Sequence, residues 1–294
     1  MIHKKNKYYK SISAFSLIEL SIVILIIGLL VAGVTKGGQL YNKINLVSAR
    51  SVTKGSAANY MKGLFLWYDA TSTEGFNNEY SDNDAVDHWN NINPQQKQQY
   101  NLSQPDNQYK PTYLKDGING LPALYFNGDA LYESVPLDAS YSIFVVFYRD
   151  ENGPSQDGIL SFNGGIHIEI NQANEHLRML HRSPIGDSGG NNNFSNSPVA
   201  INKNYIMTYV RDFENQDLGL WFNDVDYAPA SPAVTLGDFN QDFRDLTIGA
   251  GYVNGARPLV GKIGEVIIFD NALKQKEIDA IESYLSQKWS IDLE

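Results

Sequence analysis

The sequence predicts a mainly β protein, in which an N-terminal membrane-spanning α-helix precedes an antiparallel β-sandwich or barrel that ends in a C-terminal helix. Three observations predict this fold class. An apolar run begins at Phe15, behind a lysine-rich end; short β-branched and aromatic runs, separated by Gly, Asn, Asp and Pro, fill the body; and one apolar stripe closes the chain. Closely spaced strands without intervening helices are typical of sandwiches and barrels.

Charge is unevenly distributed along the 294 residues. The formal net charge of −10 combines +4 in residues 1–14, +4 in residues 15–62 and −18 in residues 63–294. This asymmetry indicates a membrane anchor followed by a solvated acidic body. An acidic body without a basic stripe argues against nucleic acid as a partner, because phosphate neutralisation supplies most of that affinity. The absence of cysteine excludes disulfides, thiolate nucleophiles and Cys-ligated metal sites.

The apolar run Phe15–Val34 has the length of one bilayer core, about 30 Å of helix. The lysines before it predict that the N-terminus stays cytoplasmic and the body lies across the membrane. A secretory signal peptide cut near residues 31–33 is the alternative. Glu19 argues against that alternative, because an ionised carboxylate in the apolar run costs roughly 2.5–3.5 kcal/mol and a disposable peptide has no use for it.

The segment Ser13-Ala-Phe-Ser-Leu-Ile-Glu-Leu20 and the Ile/Leu/Val helix after it resemble the leader and N-terminal helix of type IV pilins and type II secretion pseudopilins. The resemblance implies that prepilin peptidase removes residues 1–14 by cutting between Ala14 and Phe15, and that the new amine of Phe15 is methylated. Ala14 stands where most members have glycine. The resemblance also implies that Glu19 neutralises the amine of a neighbouring pilin-like subunit. Residues 15–62 would then form the assembly helix and stalk.

The body from residue 63 is divided into short predicted strands and one helix. The helix is predicted from Ile278, Ile281, Leu285 and Trp289, whose spacing forms a single apolar stripe. The strands are predicted near residues 64–69, 123–127, 130–135, 142–148, 158–162, 166–170, 177–181, 205–210, 218–222, 246–250 and 262–269. The Asn-rich residues 191–196 are predicted to be a flexible polar loop.

The order of motifs in the body resembles concanavalin A-like, laminin G-type jelly rolls. The matching segments are Leu66–Ala70, Val86–Asn90, residues 104–128 with Gly117-Ile-Asn-Gly-Leu-Pro-Ala-Leu-Tyr-Phe-Asn-Gly128, Leu246–Ala250 and Gly261–Leu273. The resemblance implies one jelly-roll domain over residues 63–294. In this family the fold usually binds glycans or proteins, and some members are glycoside hydrolases.

Two patterns with catalytic associations are interpreted here as structural. Gly186-Asp-Ser-Gly-Gly190 matches a nucleophile elbow around Ser188, but Pro184 before it and the polar loop after it are not the strand and helix that an elbow requires. Glu169 lacks the second local carboxylate that a glycosidase needs. We therefore expect Glu169 and His167 to lie on the solvent face of a half-buried strand, and we predict that the chain is not an enzyme.

No cofactor is predicted to be required, and calcium is the metal that the composition favours. The oxygen-rich loops carry Asp238, Asn240 and Asp242 in one case and Asp82, Asp84 and Asp87 in the other, although solvated turns are the default interpretation of both loops. His167, His176 and His181 do not have zinc-site spacing. Loop tyrosines offer surfaces for stacking on sugars or contacting protein partners: Tyr80, Tyr100, Tyr109 and Tyr252.

These expectations combine into a minor pilin that displays a lectin-like domain for adhesion or surface recognition. We expect the protein to cross the bacterial inner membrane once, with a periplasmic body, and then to enter a pilus at the cell surface or a pseudopilus. Two alternatives stay open: a type II secretion minor pseudopilin that recognises cargo, and a membrane-tethered glycan hydrolase.

Overall fold

The computed structural model describes residues 17–150, 153, 156–162, 165–181, 191–227 and 243–294. The chain divides into two compact units, one ending at Ile44 and the other comprising Asn45–Glu294. Helix α1 runs over Leu17–Lys54, and its large apolar side chains between Leu20 and Val31 are exposed wherever their burial is described. Within the described ranges, no helix combines the length and the hydropathy that a membrane crossing requires.

The second unit is a sandwich of antiparallel strands with a helix, α2, at Gln275–Trp289. Its strands are β1 Leu64–Asp69, β2 His88–Trp89, β3 Leu102–Ser103, β4 Thr112–Ile118, β5 Leu121–Phe126, β6 Leu131–Pro136, β7 Tyr141–Arg149, β8 Gln156–Phe162, β9 Ile166–Asn171, β10 His176–His181, β11 Asn191–Pro198, β12 Lys203–Asp212, β13 Asp217–Phe222, β14 Val225–Asp226, β15 Phe243–Ile248 and β16 Gly261–Phe269. Short 3₁₀ turns lie at Ala57–Tyr60 and Asn107–Tyr109. The predicted mainly β sandwich with a C-terminal helix is confirmed.

Two sheets face each other across the main core. The first sheet has the order β14-β13-β12-β7-β16-β5-β4, with β1 also paired to β16; the second has the order β11-β10-β9-β8-β15-β6-β3-β2. Alternate residues of each strand point between the sheets, as β9 shows with Ile166, Ile168 and Ile170. Trp89 and Phe147 also belong to this core, so the inter-sheet space is filled with aliphatic and aromatic side chains.

Helix α2 covers the outer face of the first sheet. Its predicted stripe is confirmed, because Ile278, Ile281, Leu285 and Trp289 are all buried. They pack in a second apolar core with residues of the first sheet such as Phe144. The helix begins with a capping contact, in which the Lys274 backbone N–H donates to Glu277 Oε2 at 2.8 Å, and it ends at Ser290 in the left-handed conformation.

A β-bulge in β16 decides which side chains meet α2. Ile263 pairs with Phe147, but the next paired residue, Glu265, is opposite Val146, so Gly264 is the extra residue. Ile263 and Val266 lie in the inter-sheet core, whereas Glu265 points to the α2 side. A Cβ on Gly264 would lie 2.4 Å from Trp289 Cη2, so only glycine leaves room for the indole.

The sequence prediction missed five strands: β2, β3, β4, β11 and β14. The flexible polar loop predicted at residues 191–196 is wrong, because Asn191–Pro198 is a strand paired with β10. An edge strand can be held by its backbone hydrogen bonds without an alternating apolar pattern, and this pattern was the signal used to find the others.

Candidate functional site

The outer face of the second sheet carries a row of polar side chains that crosses four strands. Cross-strand pairing places Tyr132 beside Thr247, Thr247 beside Ser161 and Ser161 beside His167. The residues that alternate with them, such as Ile168 of β9, point into the inter-sheet core. This face therefore differs from the apolar outer face of the first sheet.

A segment formed by residues 249–258 lies over part of this polar face. Ser161 Oγ donates hydrogen bonds to the carbonyl oxygens of Ala250 at 3.3 Å and Gly251 at 2.9 Å. The ring of Tyr252 lies 5.2 Å from the ring of His167. Thr247 is fully buried under the same cover, and its Oγ1 has no hydrogen-bond partner within the described residues.

Burial under this segment corrects one expectation from the sequence. Glu169 and His167 were expected on a solvent face, but their relative exposures are 0% and 2%. The strand alternates as predicted, with the isoleucines facing the inter-sheet core. The expectation failed because the covering segment is more than 80 residues away in the chain, and strand periodicity carries no information about such a contact.

Glu169 holds two arginines at the edge of the covered area. Arg178 Nη1 donates to Glu169 Oε1 at 2.8 Å, and Arg257 Nη1 donates to Oε1 at 3.1 Å and to Oε2 at 3.0 Å. The Arg257 guanidinium also lies 5.5 Å from the centre of the Tyr252 ring. We call Glu169, Arg178, Arg257 and Tyr252 the arginine–glutamate cluster.

The arginine–glutamate cluster has the chemistry of a polar ligand site. The Glu169 side chain is fully buried, whereas the side chains of Arg178 and Arg257 are 19% and 31% exposed. Two guanidinium groups share the single carboxylate of Glu169. Guanidinium groups present several donors in a fixed plane, which suits carboxylates and hydroxyl-rich ligands, and a tyrosine ring offers a face for stacking.

The first sheet carries a second buried ionic group beneath α2. Lys288 Nζ lies 2.7 Å from Asp69 Oδ2 and 2.7 Å from Glu265 Oε2. Glu265 also accepts hydrogen bonds from the indole N–H groups of Trp67 and Trp289 and from the Tyr284 hydroxyl. Burial raises the pKa of Glu265, and the nearby Lys288 charge opposes that effect. All three charged side chains are inaccessible, so this group ties α2 to β1 and β16.

Several site residues predicted from the sequence lie outside the described residues: Ala14, Phe15, Ser188, Asp238, Asn240 and Asp242. Glu19 lies on α1, and the position of its side chain is not described. The processing site, the assembly contact and the second calcium loop therefore stay predictions.

The aspartates of the other predicted calcium loop bond to separate partners. Asp82 Oδ1 accepts from the backbone N–H of Lys115 at 2.8 Å, and Asp84 Oδ2 accepts from that of Ser81 at 2.6 Å. Asp87 Oδ1 lies 3.0 Å from His88 Nδ1, and this contact lowers the pKa of Asp87. Among the described residues, no group of three His, Asp or Glu side chains is positioned to hold a metal ion.

Sequence reasoning missed both arginines of the cluster. Arg178 could have been found, because folding the predicted strands 166–170 and 177–181 into a hairpin places it opposite Glu169. Arg257 gives no local signal, since 88 residues separate it from Glu169. Tyr252 was among the predicted ligand-facing tyrosines, and it is in the cluster.

A family model described as the concanavalin A-like lectin/glucanases superfamily matches residues 124–279, which include the whole arginine–glutamate cluster. This match and the observed sandwich confirm the resemblance inferred for the body, while the pilin resemblance of the N-terminal segment is not addressed by it. No curated protein sequence matches the chain.

Solved structures of similar fold include proteins that act on or bind carbohydrates. A Trypanosoma rangeli sialidase in complex with 2,3-difluorosialic acid is 12% identical with a TM-score of 0.51, over 77% of this chain and 33% of that one. Domain 4 of the Geobacillus stearothermophilus arabinanase AbnA, in complex with arabinotriose, is 13% identical with a TM-score of 0.44, over 61% of this chain and 81% of that one. A carbohydrate-binding module of the Ruminococcus gnavus IT-sialidase, bound to α2,3-sialyllactose, is 18% identical with a TM-score of 0.40, over 50% of this chain and 83% of that one. The chain spans about a third of the length of the sialidases from T. rangeli.

The comparisons correct the prediction that the chain is not an enzyme. The T. rangeli sialidase in complex with 2,3-difluorosialic acid shares the fold over 77% of this chain. The fold therefore occurs within glycoside hydrolases. The lack of a second carboxylate near Glu169 in the sequence was not sufficient to exclude hydrolysis, because strands distant in sequence can supply that carboxylate.

Proposed function

Because the chain belongs to the concanavalin A-like lectin/glucanases superfamily, we propose that its sandwich recognises a glycan through the arginine–glutamate cluster. The observation that carries the proposal is the pair of partly exposed arginines fixed on fully buried Glu169. Their shared carboxylate orients both guanidinium groups before any ligand arrives, which reduces the entropy lost on binding. Tyr252 beside Arg257 supplies the aromatic surface that sugar rings contact.

The electrostatics of the site favour sugars with hydroxyl or carboxylate groups. The cluster places two guanidinium groups around one carboxylate, within a body whose formal charge is −18. A local cation in an acidic surface attracts an anionic ligand that the surrounding surface repels. The proposal therefore covers neutral and acidic glycans and assigns acidic ones the higher affinity.

A glycan array tests this proposal with the full chain and two variants. Arg257→Gln removes the more exposed guanidinium, and we expect it to weaken binding of the glycans retained by the wild type at least tenfold. Lys115→Gln is the matched control, because Lys115 is exposed and lies outside the cluster. Equal binding by all three proteins would reject the cluster as the site.

We further propose that the N-terminal segment is a pilin-type anchor and assembly helix. Support comes from the sequence of residues 13–34, from the helix that begins at Leu17 and from its exposed apolar side chains. The proposed organisation is a leader at residues 1–14, a membrane and assembly helix with stalk at residues 15–62, and the sandwich at residues 63–294. The protein would move from the inner membrane into a pilus or a type II secretion pseudopilus, with a periplasmic body.

Mass spectrometry of the protein from its native host tests the anchor proposal. The expected N-terminal residue is Phe15, carrying one methyl group on its amine. Substituting Glu19→Ala should leave this cleavage intact and reduce the amount of protein in sheared filaments. A native N-terminus at Met1, or one near residue 34, would contradict the proposal.

Glycan hydrolysis is the second candidate function, favoured by the fold shared with the T. rangeli sialidase. Glu169 is the carboxylate that such an activity would use within the cluster. Glycans that bind on the array would be incubated with the full chain, and the products would be identified by mass spectrometry. Cleavage that Glu169→Gln abolishes supports hydrolysis at this site, whereas binding without any cleavage supports recognition alone.

A further inference from the structure

A pocket lies where the end of α1 meets β1, and none of its lining residues belongs to the arginine–glutamate cluster. Its volume is about 490 Å³, within the range of about 300–1,000 Å³ that is typical of small-molecule sites. Trp67 and Asp69 of β1 line it together with the last turns of α1. Every lining residue lies between positions 50 and 95, and the family match begins at residue 124. We call this cavity the helix–strand pocket.

Hydrogen bonds between separate segments hold the walls of the helix–strand pocket in place. Arg50 Nε donates to the Thr71 carbonyl at 2.7 Å, which fastens α1 to the segment after β1. Thr53 Oγ1 donates to Asp69 Oδ2 at 3.2 Å. Gln95 Nε2 donates to the carbonyl oxygens of Asn59 and Met61, each at 3.0 Å. The pocket is therefore preformed and does not need a ligand to assemble it.

Positive charge exceeds negative charge among the groups that a ligand would meet. The Asp69 side chain is fully buried against Lys288, which Glu265 shares, so a ligand does not reach it. Arg50 and Lys54 also line the pocket, and Glu74 is the exposed acid among the described lining residues. Neither Arg50 nor Lys54 has an ion pair in the described part of the chain. The groups that a ligand can reach are therefore two cations and one acid, which favours an anionic group.

An exposed aromatic side chain stands at the same pocket. Tyr60 is 85% exposed, although it lies next to a folded body that buries most of its aromatic residues. An exposed ring beside amide and hydroxyl groups provides both a stacking surface and hydrogen bonds. The polar groups include Asn59, Thr73 and Gln95. A small inorganic anion would use the cations but would leave the ring without a contact.

We propose that the helix–strand pocket binds a sugar unit that carries a carboxylate. The carboxylate lies against Arg50 and Lys54, and the sugar ring lies on Tyr60. This second site goes beyond the glycan recognition assigned to the arginine–glutamate cluster. It also uses the helix that precedes the sandwich, so the ligand contacts both the stalk end and the domain.

Ligand-observed NMR titration of the full chain tests the second site with D-glucuronate as the probe. D-Glucose lacks the carboxylate and acetate lacks the ring, so each should bind at least tenfold more weakly. Tyr60→Ala and Lys54→Gln should each weaken glucuronate binding at least fivefold, and both residues are exposed enough for the fold to persist. Glu74→Gln should strengthen binding, because it removes the acid that opposes the ligand charge.

The control variants separate this site from the cluster. Lys97→Gln, at an exposed lysine outside the pocket, should leave glucuronate affinity within twofold of the wild type. Arg257→Gln should also leave it within twofold, even if glycan binding on the array is lost. The proposal is overturned if acetate binds as well as glucuronate, if Arg257→Gln removes the binding, or if no saturable binding occurs.

Discussion

The outer faces of the two sheets have opposite chemistry. On the first sheet, α2 covers an apolar surface, and the charged groups beneath it bond to one another out of reach of solvent. On the second sheet, a polar surface lies partly under residues 249–258, and the charged groups at its edge keep some contact with solvent. A buried charge surrounded by protein partners contributes to structure, whereas a fixed charge that solvent reaches is available to a ligand. The difference explains why we assign recognition to the second face.

The largest expected effect is a loss of stability when the ionic group beneath α2, on the first sheet, is disrupted. Lys288→Met leaves Asp69 and Glu265 buried without their shared cation, so we expect the free energy of unfolding to fall by about 3–5 kcal/mol. Urea unfolding followed by circular dichroism measures this loss. Lys276→Met, on the exposed side of the same helix, should change the value by no more than about 0.5 kcal/mol. If the two variants are equally stable, Lys288 does not hold α2 on the sheet.

A smaller loss is expected on the second face. Glu169→Gln weakens the hydrogen bonds to Arg178 and Arg257, and we expect the free energy of unfolding to fall by about 1–3 kcal/mol. The loss is smaller than for Lys288→Met because both arginines can gain water contacts. The same unfolding measurement applies, with exposed Glu79→Gln as the control. A loss as large as that of Lys288→Met would mean that the two faces play the same structural role.

The smallest effect concerns Glu282, an acid between α2 and the first sheet. Thr208 Oγ1 donates to Glu282 Oε1 at 2.6 Å, and burial raises the pKa of Glu282 from 4.5 to about 7, with a further contribution from Asp224 and Asp279. Between these pH values the folded state keeps a proton that the unfolded state has lost. This group therefore favours folding at pH 4.5 and progressively less as the pH rises towards 7.

Glu282→Gln tests this pH dependence. The amide does not titrate, so the change in unfolding free energy between about pH 4.5 and 5.5 should differ from the wild type by about 1 kcal/mol, with the variant losing less stability as the pH rises. Unfolding curves at several pH values give the slope of unfolding free energy against pH for the variant and for the wild type. Glu79→Gln, at an exposed site outside α2, provides the comparison. Identical slopes for Glu282→Gln and the wild type would show that the carboxyl is already ionised at low pH.

Elements with a strong period could be predicted from the sequence, and contacts between distant segments could not. The isoleucines of β9 and the stripe of α2 predicted their strand and helix, because burial on one face imposes a period of 2 or 3.6 residues. Lys288 gives no sign of burial, since a lysine side chain is almost never fully buried unless it is paired. Its role depends on Asp69, more than 200 residues earlier. Arg257 was missed for the same reason. The polar strand β11 was missed because backbone pairing does not require any periodic pattern of side chains.

The bulge at Gly264 determines which side of the first sheet each later residue of β16 faces. A strand has two sides, so one extra residue exchanges the side on which every later residue lies. If Gly264 paired as a regular strand residue instead, simple alternation would move Glu265 into the space between the sheets and transfer Val266 and Ile268 to the helix side. The bulge at this one glycine thus decides whether a carboxylate meets a lysine or a hydrocarbon core.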